Sequence, residues 1–260
     1  MKTRCYYLQI LVFIGCCSIL TAGCMKWVDY LKYPGDTDYK PCNIKKITAF
    51  NQSVLIDGSI DTAFYTYTFT YSSLGNPVSV ITNSPGTGNP NFSFKYDKYN
   101  RLREFIRPYG NGGYEQMDRY GYNAKGQAVL DTGYVFGLMS GTEALPSPFV
   151  DYKYLEYDAQ NRVLHEKDSI LNNGHFEFIL LYDYAYDANG NLITGAVYDN
   201  KMNMYRTNKV WMFILRDYSV NNQITNGQYN EFGLPVHYFG GSIKMFPAAT
   251  GDIHIDYFCH

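Results

Sequence analysis

From residue 44 onward, apolar and polar positions alternate with a period of two, the spacing at which a strand places successive side chains on opposite faces. The clearest run is 63–71, where Tyr65, Tyr67, Phe69 and Tyr71 alternate with Thr66, Thr68 and Thr70. Phe92, Phe94 and Tyr96 repeat it, and Phe176, Phe178, Leu180, Tyr182, Tyr184 and Tyr186 extend it over 176–186. The pattern predicts strand pairs at 63–71 with 78–82, 92–96 with 102–106, 117–122 with 128–132, 152–157 with 163–167, and 176–186 with 192–198. A further strand is expected at 210–220, with Trp211, Phe213 and Leu215 on one side; 228–238 holds the last turn copy, and strands at 243–246 and 253–258 close the chain. No helical periodicity is visible beyond the N-terminus.

A short motif punctuates these runs. Tyr186-Asp187-Ala188-Asn189-Gly190 has five looser copies, beginning at Tyr71, Tyr96, Tyr122, Tyr157 and Tyr229. The residue after the Tyr is always Ser, Asp or Asn, and the fourth after it is Gly or Asn. A Ser, Asp or Asn side chain accepts hydrogen bonds from backbone two residues on. Gly, and next Asn, tolerates a positive φ. This is the chemistry of a type I turn closed by a left-handed residue, the common three-residue hairpin loop. The closing residues are Gly75, Asn100, Gly126, Asn161, Gly190 and Gly233.

The anchor tyrosines are spaced by 25, 26, 35, 29 and 43 residues, so one hairpin is the base unit. The expected fold is all-β: an antiparallel β-meander of about 12–14 strands, in a strongly curved sheet or closed as a barrel. Short turns should lie at one end and irregular loops at the other, with 133–149 as the longest insertion.

Composition adds an address. The 27 Tyr, 16 Phe and 23 Gly suit strands and turns. Residues 1–23 read as a signal segment, with Lys2 and Arg4 ahead of an apolar run from Leu8 to Leu20 that is short for a membrane span. Leu20-Thr21-Ala22-Gly23-Cys24 resembles a bacterial lipobox, which implies lipidation at Cys24; Thr21 departs from the usual aliphatic residue, and Cys16 is a rival site. Residues 24–41 then form a tether, and 42–260 a single domain. Residues 1–23 hold two basic residues and no acidic one, leaving 20 basic against 24 acidic. That balance argues against a nucleic-acid partner.

Tyr186-Asp187-Ala188-Asn189-Gly190-Asn191-Leu192, with Tyr96-Asp97-Lys98-Tyr99-Asn100-Arg101-Leu102 and Tyr157-Asp158-Ala159-Gln160-Asn161-Arg162-Val163, resembles the YD repeat of Rhs-type surface proteins. Together with the lipobox, the chain is similar to surface lipoproteins of the Bacteroidota, some of which have a porin-like or open β-meander fold. The resemblance implies an exported lipoprotein of the outer membrane or cell surface, held to the membrane by its lipid. It carries no catalytic residues.

Candidate chemistry is sparse. No nucleophile motif, zinc-protease motif or phosphate loop is present, so the expectation is a non-enzymatic module without a cofactor, binding an envelope protein or a glycan through the long-loop edge of the sheet, 133–149 above all. The alternatives are a structural envelope component or an extracellular polymer hydrolase. Tyr109, Tyr114, Tyr134 and Tyr205 are expected in loops and are the candidate ligand contacts. Asp252, His254, Asp256 and His260 share one face of the last strand, as a weak metal set or simply its wet side. Cys42 and Cys259 flank the domain as either a disulfide or two thiols.

Overall fold

A computed structural model describes residues 42–54, 56–223 and 226–259. The signal segment, the tether, Cys24 and His260 lie outside the described residues. All described residues but Ala159–Asn161 belong to one compact unit.

The alternating pattern folds into β1 (Cys42–Val54), β2 (Ile60–Tyr71), β3 (Pro77–Thr82), β4 (Phe92–Tyr96), β5 (Leu102–Pro108), β6 (Gly113–Tyr122), β7 (Ala128–Ser140), β8 (Glu143–Ala144), β9 (Phe149–Tyr157), β10 (Val163–Asn172), β11 (His175–Asp183), β12 (Gly227–Tyr229), β13 (Pro235–Ile243) and β14 (Phe246–Cys259). They form one antiparallel 14-stranded sheet in the order β11-β10-β9-β7-β6-β5-β4-β3-β2-β1-β14-β13-β12, with β8 paired to β7 alone. Neighbours in sequence are neighbours in the sheet, as a chain of hairpins requires. The long-range exception is β1, which pairs with β14 and sets Cys42 opposite Cys259. A disulfide joins the two cysteines. The sheet does not close into a barrel; β11 and β12 are its edges.

The six turns share one construction. Residues 75, 100, 126, 161, 190 and 233 all have positive φ, from 61° to 82°. The corner side chain accepts from the backbone ahead of it. Asp97 Oδ1 takes the N–H groups of Tyr99 and Arg101, and Asp187 Oδ1 those of Asn189 and Asn191. The tyrosines then tie one hairpin to another. Tyr96, Tyr122 and Tyr157 donate their hydroxyls to the carbonyls of Pro77, Leu102 and Ala128, each the first residue of the strand that follows the preceding turn, at 2.6–2.8 Å. Arg101 and Arg162 each pair with the Asp of their own turn and lie over the ring of the next repeat's Tyr, Tyr122 and Tyr186.

Four expectations are corrected, the smallest at 243–246, which is the turn joining β13 to β14 and not a strand. The 210–220 segment is not a strand: a 3₁₀ turn (Met204–Thr207) leads into helix α1 (Lys209–Leu215). A short apolar run suits a buried strand or helix equally. Asn203 and Asn208 decide it, their side chains capping Tyr205 N and Val210 N. Trp211 then packs edge-on against Phe69, Tyr71 and Phe94. Residues 192–198 form no strand; Leu192 makes one isolated bridge with Tyr186, and β11 stops at Asp183. The 133–149 insertion is mostly strand, since β7 runs to Ser140 and β8 folds back over Ile106, Tyr114 and Met117.

Candidate functional site

The face of the sheet that packs on α1 changes character along its width. From β14 to β5 it is apolar, with Ile253, Ile47, Tyr67, Phe69, Phe92, Phe94 and Phe105 buried. From β6 to β10 it is ionic. Register places Tyr120, Asp131, Lys153 and Asp168 in one row across four strands, and Asp118, Gly133 and Asp151 in the row beside it. Glu166 lies one step along β10.

Arg216 closes this cluster from above. It caps α1 in the left-handed conformation, φ 52°. Its Nη2 donates to Asp131 Oδ2 at 3.0 Å and its Nε to Glu166 Oε2 at 2.6 Å. Lys153 Nζ stands 2.8 Å from Asp151 Oδ2 and 3.6 Å from Asp118 Oδ1. A Cβ at position 133 would sit 3.0 Å from that ammonium, so Gly133 makes the space for it. Five carboxylates thus face two cations.

The excess has a cost. Asp168 Oδ1 is buried without a hydrogen-bond partner, and so is the second oxygen of Asp131. Burial, then the Glu166 and Asp151 carboxylates, push the Asp168 carboxyl up to about 7. Burial and Asp118 push Asp131 up to about 8, against the pull of Lys153 and Arg216. Burial opposes the Lys153 ammonium, but Asp118, Asp131 and Asp151 outweigh it and raise its pKa. The cluster is therefore able to hold a proton near neutral pH.

The ionic strip ends at an exposed edge. Every residue of β11 is exposed. Phe178, Leu180 and Tyr182 continue the strip's rows, opposite Ile170, Asp168 and Glu166. Phe176, Ile179 and Leu181 are also large, apolar and exposed, Leu181 at 72%. The Tyr184 N–H donates to Leu164 O at 2.8 Å. Antiparallel alternation then turns the Phe178, Leu180 and Tyr182 amides toward β10, and those of Ile179 and Leu181 toward the free side.

The expected ligand tyrosines do not converge on a surface. Tyr114 is a strand residue with no exposure, and its hydroxyl donates to Leu145 O. Tyr205 is buried in the 3₁₀ turn. Neither is a loop contact. Tyr134 is a half-buried β7 residue packed on the Ile106 cluster, with Arg119 over its ring. Tyr109 stays between β5 and β6, half-buried, and donates to Glu115 Oε2 at 3.1 Å.

On the opposite face, the last strand brings Asp252 and His254 beside His237 of β13, a residue missing from the expected set. Asp252 Oδ1 lies 2.6 Å from His237 Nε2 and 3.5 Å from His254 Nε2. The two imidazoles stack with centroids 4.2 Å apart. Asp256 follows on the same face, and His237, His254 and Asp256 line an open groove of about 610 Å³.

No protein-family model matches the chain. No curated protein matches it either. Among the described residues, no helix is long and apolar enough to cross a membrane.

Proposed function

We propose that the protein is a non-enzymatic, exported binding module, lipid-anchored through Cys24, that takes up an extended basic segment of an envelope protein along β11. The observation that carries this reading is the composition of that edge. Sheets guard their edges with short strands, lysines, prolines or inward charges. The other edge, β12, follows the rule with three residues. The stretch 176–182, Phe-Glu-Phe-Ile-Leu-Leu-Tyr, has one charge and no proline. An added strand satisfies free amides and buries apolar side chains at once. Glu166 and Asp168 lie one strand further in, behind Tyr182 and Leu180, and the cluster's excess of negative charge favours long lysine or arginine side chains on the guest. A second copy of the chain brings the same acidic rows and is the poorer occupant.

The test uses two fluorescent nonapeptides, one alternating Lys with Ile and one alternating Glu with Ile, titrated into the full chain. Fluorescence anisotropy should report saturable binding of the lysine peptide only. Ile179→Pro removes an amide on the free side without cutting the β10 pairing, and it should abolish binding. Equal binding of both peptides overturns the reading, as does lysine-peptide binding that survives Ile179→Pro. Concentration-dependent dimers that Ile179→Pro dissolves would assign the edge to a second copy instead.

A further inference from the structure

We infer that His237, Asp252 and His254 form a binding site for a divalent transition metal of the zinc class. The inference is independent of the β11 reading, because it uses the other face and the other end of the sheet. Each residue offers one ligand atom, and the three atoms lie within 4.8 Å of one another. Ligands held at about 2.1 Å in a tetrahedral zinc site stand about 3.4 Å apart. The 2.6 and 3.5 Å separations around Asp252 Oδ1 bracket that value. The two imidazoles are borderline ligands that suit zinc, copper or nickel over magnesium or calcium, and zinc accepts one carboxylate oxygen beside them.

The backbone fixes these positions without any ion. His237 and His254 are direct cross-strand partners. Asp252 precedes His254 by two residues and so shares its face. Gly251, at φ 86°, shapes the strand just before Asp252; a Cβ there would meet Phe50 O at 2.5 Å. Phe239 and Phe50 pair with Asp252 from the two sides, giving the carboxylate apolar neighbours. Thr48 stands across from His254, and Lys46 across from Asp256, so the nearest cation on β1 is matched to a different carboxylate. All three ligands are partly exposed, with side chains at 29%, 35% and 58%. An ion there keeps an open position for water or for a donor from a partner.

Isothermal titration of the untagged, chelator-treated full chain with zinc chloride tests this, with magnesium chloride as the hard-ion control. One zinc per chain should bind, and magnesium should not. His254→Gln and Asp252→Asn should each weaken zinc at least tenfold, and the His237→Gln/His254→Gln pair should abolish that site. Circular dichroism of each variant in chelator should match the parent, which separates ligand loss from unfolding. Failure of zinc to bind the parent chain overturns the assignment. So does zinc binding of unchanged affinity in the double variant, which would move the ion to other histidines.

Discussion

Asp168→Asn should make the protein more stable, and only above acidic pH. Asp168 is 5% exposed, with Oδ1 unpartnered and Glu166 and Asp151 nearby. An ordinary aspartate ionises near 3.9 in the unfolded chain. In the folded protein the same carboxyl ionises at about 7. Below about pH 4 both states carry the proton and the site contributes no pH dependence. Between about pH 4 and 7 the unfolded chain has released its proton and the folded one retains it, so stability falls as pH rises. Above 7 both are ionised and the loss is complete. At about 1.4 kcal/mol per pH unit, the full loss is at most about 4 kcal/mol. Water at the nearby edge lowers the working figure to about 2–3 kcal/mol.

Asparagine keeps the shape and cannot ionise. Urea unfolding of both chains at pH 4.5, 6 and 8 should therefore give curves that lie close together at the lowest pH and separate at the highest. The variant should be the more stable at pH 8 by about 2–3 kcal/mol. Asp131 has a raised pKa as well, but it is present in both chains and cancels in the difference. A variant less stable than the parent at pH 8, or a difference that ignores pH, would refute the idea that Asp168 is held unpaired.

Three further outcomes are expected. Reduction of Cys42–Cys259, or Cys42→Ala with Cys259→Ala, opens a loop of 217 residues and should cost up to about 5 kcal/mol in urea unfolding; unchanged midpoints with and without reductant would contradict it. Tyr122→Phe and Tyr157→Phe each delete a hydroxyl that bonds a strand carbonyl, and each should lose about 1 kcal/mol, with exposed Tyr99→Phe near zero as the control. Gly190→Val forces a branched residue to φ 82° and sets its Cβ 2.9 Å from Val220 Cγ2, so thermal melting should show a loss of about 1–3 kcal/mol.

What the sequence discloses depends on the range of the interaction involved. The turns are closed within five residues by a corner side chain and a left-handed residue, and both are read directly from Asp187 and Gly190. The strands follow because Tyr65 to Tyr71 cannot alternate on any other regular backbone. The reason each turn begins with Tyr is hidden, because the Tyr122 hydroxyl finds its acceptor 20 residues back, on another hairpin. The ionic cluster is hidden for the same reason. Asp118, Asp131, Lys153, Asp168 and Arg216 come from separate elements, and a one-residue slip in any register would send a member to the other face. Lys153 read alone suggests a wet surface, yet only 13% of its side chain is exposed, over Gly133. His237 is hidden as well, because its partnership with His254 passes through irregular pairing, with a shift between Phe239 and Gly241.

The one place where the repeat fails is also the place that makes both features of the inner face. Tyr186 to Leu192 has the strongest turn signature in the chain, and Asp187 and Gly190 build that turn fully. A return strand at 192–198 would then cover the free side of β11. Instead Leu192 N donates to Ser219 Oγ, and Asn191 and Asn221 exchange hydrogen bonds. These contacts tie the segment after the turn to residues 219–221. The intervening chain forms α1, whose C-cap delivers Arg216 to Asp131 and Glu166. An apolar strand left bare and a buried charge cluster beside it are thus two results of one departure from the hairpin pattern. A hairpin that closed normally here would have hidden β11 and left the five carboxylates with Lys153 alone.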